Sequence, residues 1–168
     1  MEIVNRVASS SLVTLDLEEY YHRGERVLFD IKDWLFHELV LKEKEFRTYV
    51  KEHDWEQYND KNVAIVCSAD AIVPVWAFML VATRLKNAHH IVMGSLEALE
   101  QSLFQEALSK INIRDFEGGK VVIKGCGELP VPDSAYIELT RLLTPVVSSI
   151  MYGEPCSTVP IYKAPKKK

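Results

Sequence analysis

A chain of 168 residues, 48% apolar and 26% charged, has the length and composition of one ordinary soluble domain with a real hydrophobic core. A net charge of -4, with the basic cluster confined to Lys163, Lys166, Lys167 and Lys168, argues against nucleic-acid binding, which calls for a basic face. Met1-Glu2-Ile3-Val4-Asn5 lacks the basic start and apolar run of an export signal, and the apolar stretch Ala71 to Ala82 is shorter than the roughly 20 residues that cross a bilayer. An odd number of cysteines, three, fits a reducing compartment, so the expectation is a cytoplasmic protein without a membrane partner.

Taken in order, residues 1–11 end in a serine break, and Leu12–Leu17 alternates as a short half-buried strand that could add antiparallel at a sheet edge. Glu18 to Gly24 reads as a polar loop. Arg26 opens a second strand, which gives way to helical spacing near Phe29-Asp30, with Asp30 a candidate N-cap. Lys42 to His53 carries Phe46, Tyr49 and Val50 on one face of a charged amphipathic helix. Val63–Val66, His90–Met93 and Val121–Ile123 are compact apolar runs of the kind buried on both faces of a parallel sheet. Pro74 to Leu85 is apolar almost all round and predicts a well-buried helix. Ser95 caps a further helix, and Ser134 to Tyr152 predicts a long one that Pro145 should kink or divide. Glu154 to Pro160 reads as irregular, and the segment Met151 to Pro160 is too specific for a loose tail and is expected to dock on the sheet rim or on a second subunit. The architecture expected is a single three-layer α/β domain over residues 1–162, with a mainly parallel sheet, helices on both faces, and a basic tail at 163–168.

Two stretches repeat a pattern. Lys61-Asn62-Val63-Ala64-Ile65-Val66-Cys67 precedes Val73-Pro74, and Lys120-Val121-Val122-Ile123-Lys124-Gly125-Cys126 precedes Val131-Pro132. Both follow an acid-aromatic-acid triplet, Asp54-Trp55-Glu56 and Asp115-Phe116-Glu117. Each predicts a strand ending at a cysteine, a short loop and a helix opened by proline. Loops after parallel strands collect on one rim, where unpaired helix N–H groups lower a thiol's pKa. Cys67, Cys126 and Cys156 are therefore candidate ligands for zinc or an iron–sulfur cluster, with Asp70 or His22 as a fourth ligand. Cysteine is also a small apolar residue at home in a core, so a structural role stands beside the functional one. A catalytic thiol would need a histidine base. His22, His37, His53, His89 and His90 lack a recognisable catalytic setting, and no glycine-rich phosphate loop is present.

The runs Val63 to Pro74, Val122 to Cys126 and Tyr152 to Pro160 resemble a bacterial family, domain of unknown function 2480, and the resemblance extends from Ile3 to Lys163. It carries no established activity. Genes of that family lie near those of sulfur-mobilising iron–sulfur assembly, so the resemblance implies an accessory role there, with iron–sulfur assembly proteins as partners. Three functions are thus open: sulfur or metal handling through the cysteines, a non-enzymatic interaction module that forms a homodimer, and a thiol enzyme acting on a small substrate.

Overall fold

The computed structural model describes residues 12–125, 127–154 and 157–167. Strands and helices alternate as the apolar periodicity predicts, but the strands form two sheets. One holds β1 (Leu12–Asp16), β5 (Lys120–Lys124), β6 (Ser149–Glu154) and β7 (Ser157–Lys163), in that order. The other holds β2 (Arg26–Asp30), β3 (Asn62–Val66) and β4 (His90–Met93). All pairings are parallel except that of β6 with β7. The four helices described are α1 (Glu43–Glu52), α2 (Val75–Arg84), α3 (Leu96–Ser109) and α4 (Asp133–Leu143).

The chain divides into a continuous unit, Arg23–Ser102, and a split unit, Met1–His22 with Leu103–Lys168. In the continuous unit, Phe29, Val63 and Ile65 meet Phe46 and Val50 of α1 and Ala77 and Val81 of α2 in one core. Aromatic rings extend that core: Phe29 stands 5.1 Å from Trp34 and 5.4 Å from Trp55. On the other face of the sheet, Arg26 and His90 flank Asn62 in register. Both are tied to α3. Arg26 donates twice to Glu100 at 2.7 and 2.9 Å, and His90 Nε2 lies 2.7 Å from Ser102 Oγ. In the split unit, Val13, Val121 and Ile150 share a core with Phe104, Leu108, Ala135 and Leu139.

The two units repeat one layout. Asp16 ends β1 and accepts from Glu18 N at 2.9 Å, opening a 3-10 turn at Leu17–Tyr20. Asp30 ends β2 and does the same for Lys32 N at 3.0 Å, opening the turn Ile31–Trp34. A constant spacing of 58 residues then carries Phe46 onto Phe104, Tyr58 onto Phe116, Val63 onto Val121, Pro74 onto Pro132 and Ala77 onto Ala135. The backbone follows the same spacing. Asp60 and Gly118 both take a left-handed φ, of 62° and 70°, and donate to Asn87 O and Val146 O at 2.9 and 2.8 Å. Asp54 and Asn112 accept from the N–H two residues on, at 3.1 and 3.3 Å. The continuous unit thus enters the chain after the 3-10 turn Leu17–Tyr20 of the split one and ends within α3, whose last part, from Leu103, belongs to the split unit.

Several expectations change. Leu12–Asp16 is an edge strand, but parallel, because its partner β5 runs the same way. Helical spacing after Asp30 gives a short 3-10 turn and then a tight Phe36–Val40 bridge. His37 and Glu38 take the left-handed conformation there, with φ of 51° and 56°. Pro145 follows the end of α4 at Leu143, so the predicted long helix becomes α4 and then β6. The closing segment is a strand, β7, hydrogen-bonded to β6 from Ser157 to Lys163. The helix expected to be well buried, α2, buries Ala77 and Val81 but leaves Val75 and Met79 68% and 62% exposed.

Candidate functional site

The carboxyl ends of β2 and β3 carry the polar groups that the sequence points to. Asp30 closes β2, and its carboxylate accepts from Ser68 N at 3.1 Å and from the Ser68 hydroxyl in a shorter bond, besides its bond from Lys32 N. Burial pushes this carboxyl up, but the bonds from Ser68 and Lys32 and the Lys32 charge outweigh it and hold the pKa below the ordinary value. The arrangement is a clasp that fixes the loop after β3 to the end of β2. A carboxylate with a lowered pKa is a poor proton acceptor for Ser68 at neutral pH. The Asp30–Ser68 pair was not foreseen as a unit. The N-cap role of Asp30 was legible, but its second partner lies across a strand pair.

Cys67 is the first residue beyond β3. Its thiol is half-buried against the core of the continuous unit and donates to Ala69 O at 3.8 Å. Asp70 is exposed in the following loop, and His22 is half-buried in the split unit. Cys126 and Cys156 lie outside the described residues. Among the described residues, no group of three or more His, Cys, Asp or Glu side chains is placed to hold a metal ion.

Strand register changes how the two cysteine loops compare. Asp30 pairs with Val66 and Asp16 with Lys124, so Val66 and Lys124 are equivalent, and the position after each is Cys67 in one unit and Gly125 in the other. Aligning the loops on their cysteines slips the strands by one residue, which exchanges their two faces. A Cβ on Gly125 would run into the Tyr136 hydroxyl. The residue equivalent to Tyr136 is Phe78, which has no hydroxyl and, like Cys67, packs against the core of its unit. One unit fills this corner with a thiol and a phenyl ring, the other with glycine and a phenol. The Tyr136 hydroxyl leaves no room for a Cβ at Gly125, whereas Cys67 packs against the core of its own unit.

The split unit closes its own rim with charge. Lys124 Nζ lies 3.2 Å from Glu154 Oε1, and this contact raises the ammonium pKa above its ordinary value. Glu18 accepts from Leu129 N at 2.7 Å, and a Cβ on Gly127 would strike that carboxylate. The loop from Gly127 to Leu129 is therefore seated on Glu18 rather than open.

The remaining feature is the outward side of α2. Ile72 is 96% exposed just before the helix, Val75 and Met79 follow one turn apart, and the helix has no charged residue before Arg84. At the equivalent positions α4 presents Asp133 and Ile137, with Arg141 donating to Glu138 at 2.6 and 3.0 Å. The signal was present in the sequence as an all-round apolar helix, and burial was the wrong inference from it.

The family model for a protein of unknown function, DUF2480, matches residues 1–164. The chain belongs to this family. No curated protein and no solved structure matches it. Membership therefore agrees with the sequence resemblance and brings no activity with it. Among the described residues of this DUF2480 member, no helix is long and apolar enough to cross a membrane.

Proposed function

We propose that the protein is a non-enzymatic interaction module whose binding surface is the outward side of α2. The observation that carries this reading is the uncharged, exposed row formed by Ile72, just before α2, and Val75 and Met79 on it, while the inward side of the helix is already packed. Contiguous exposed apolar side chains mark interaction surfaces, and each one that a partner covers fully contributes roughly 1.5–3 kcal/mol. The Cys67 contacts support a structural cysteine rather than an attacking one, since its thiol donates to a backbone carbonyl. A photo-crosslinking amino acid at position 79 tests the module: an adduct heavier than the monomer is expected, and recovery of uncrosslinked chain alone would sink the idea.

A second reading keeps the accessory role in iron–sulfur or sulfur handling, with Cys67, Cys126 and Cys156 holding zinc or a cluster and Asp70 or His22 completing the set. The observation in its favour is the place of Cys67 directly after β3, on the carboxyl edge of a parallel sheet. Anaerobically purified protein should then carry zinc, or iron with labile sulfide, and Cys67→Ser should lower that content. Metal-free protein at full thiol titre removes this reading.

A further inference from the structure

We infer that the outer edge of β4 is a docking site for an extended peptide segment of a partner protein, added antiparallel as a fourth strand. The site is separate from the outward side of α2 and does not depend on it. Its basis is the split unit, where the same edge is already filled.

Strands β4 and β6 hold equivalent places. Val63 pairs with Ile91 as Val121 does with Ile150, and Ile65 pairs with Met93 as Ile123 does with Tyr152. His89 N donates to Lys61 O and Ser148 N to Gly119 O, both at 2.8 Å. Both strands lead into a glycine of positive φ, Gly94 at 139° and Gly153 at 115°. There the units part. Beyond Gly153 the chain turns back as β7 and covers the β6 edge, whereas beyond Gly94 it leaves for α3. Among the described residues, no strand lies beyond β4.

The backbone at that edge is free to pair. The N–H and C=O of a strand residue point to one side, and the side alternates along the strand. Asn62 N donates to Glu25 O, next to β2, so Val63 and Ile65 turn toward β4, and Ile65 O accepts from Gly94 N at 2.8 Å. In that ladder Val92 and Gly94 face β3, while Ile91 and Met93 turn their N–H and C=O outward. Side-chain exposure agrees. Ile150, beneath β7, is 1% exposed and Ile91 only half-buried, and Met93 is 67% exposed against 37% for Tyr152.

Free strand edges are commonly guarded by charge or proline. β7 carries Pro160 and Lys163, β2 carries Arg26 and Asp30, and β1 ends in Asp16, but Ile91, Val92 and Met93 include neither. β7 also indicates the chemistry of the occupant. It sets Val159 opposite Tyr152 and Tyr162 opposite Ile150, where Tyr162 packs against the core of its unit. The segment on β4 then carries an aliphatic residue opposite Met93 and an aromatic one opposite Ile91, which lies against the core of the continuous unit. Strand addition of this kind draws affinity from main-chain bonds and specificity from alternate side chains. A second copy pairing through its own β4 has no Phe, Tyr or Trp to place there.

Amide hydrogen exchange on the full-length chain tests the inference, with a blocked synthetic peptide of sequence Ser157–Lys163 as the probe. Without peptide, the Ile91 and Met93 amides are expected to exchange fast, and those of Ile150 and Tyr152 slowly. Excess peptide should slow exchange at Ile91 and Met93. N-methylation of the peptide at Val159, which lies opposite Met93 in the β7 register, should abolish the slowing while the protein is unchanged. N-methylation at Thr158, whose N–H points away, should leave it. Tyr162→Ala in the peptide should weaken binding roughly tenfold. Met93→Pro in the protein should abolish binding with an unchanged circular dichroism spectrum, since the lost N–H serves no bond within the sheet. Slow exchange at Ile91 and Met93 at every protein concentration, no slowing in excess peptide, or an equal effect of the two N-methyl groups overturns the inference. Slowing that grows with protein concentration alone puts a second copy on the edge and overturns the peptide partner.

Discussion

Helices α2 and α4 hold the same place in two units of one layout, and they differ on the side that the layout leaves free. Inward, both present Ala, then a branched aliphatic residue, then Leu, at matching positions, because both must fill the same space over a parallel strand. Outward, α4 carries Asp133 and the Arg141–Glu138 pair, and α2 carries Val75 and Met79. The repeat therefore separates what the fold requires from what it does not. Residues that agree between the units serve packing, and those that disagree are free to serve binding. Cys67 disagrees with its counterpart Gly125, yet it packs against the core of its unit, so disagreement alone does not mark a binding residue.

The equivalence can be broken most forcefully at its shared core. Phe46 and Phe104 are both fully buried at matching helix positions, and Phe→Ala at either should destabilise by about 3–5 kcal/mol in denaturant unfolding. A cost confined to one of them would show that the units are not packed alike. The next effect concerns the hairpin that the continuous unit lacks. Gly153 has φ of 115°, and a Cβ there would lie 2.7 Å from Ser157 O. Gly153→Ala should cost about 3 kcal/mol, read as a lowered denaturation midpoint.

A sharper test concerns the corner where Cys67 and Gly125 correspond. Gly125→Ala should cost about 1–2 kcal/mol through overlap with the Tyr136 hydroxyl, and Tyr136→Phe should recover part of that loss in the double variant. Additive losses in the cycle would show that the Tyr136 hydroxyl is not what excludes a side chain at position 125. The smallest effect belongs to the Asp30 clasp. Its folded pKa lies below the ordinary one, so its stabilisation is complete above the unfolded carboxyl value of about 3.9 and is lost as pH falls toward the depressed folded value. Asp30→Asn should flatten the acid limb of a stability–pH curve, and an unchanged limb would place the clasp outside the acid response. The effect should be modest, because the carboxylate is largely solvated.

Much of the local structure was legible in the residues. The compact apolar runs are strands, Asp30 caps a 3-10 turn and Ser95 caps α3, and Pro74 and Pro132 stand at the starts of their helices. The paired strand–loop–proline–helix pattern was legible too, although its alignment on the cysteines was one residue out. Identical letters attracted that alignment, whereas hydrogen-bond register fixes the true one. Of the candidate metal ligands, Cys67 stands directly after β3 as the strand pattern predicts, and Cys126 and Cys156 lie outside the described residues.

What the sequence determined by itself was the kind and order of elements, because period, capping and proline placement act over a few residues. Only the tertiary structure decided which strands pair, since β1 finds β5 across the whole inserted unit and local signals do not reach that far. Only it decided that the closing segment is a strand, because the irregular-looking run is held by β6. It also decided the exposure of α2. An apolar residue carries a preference for burial, but which apolar residues the chain itself covers depends on packing that no single stretch contains.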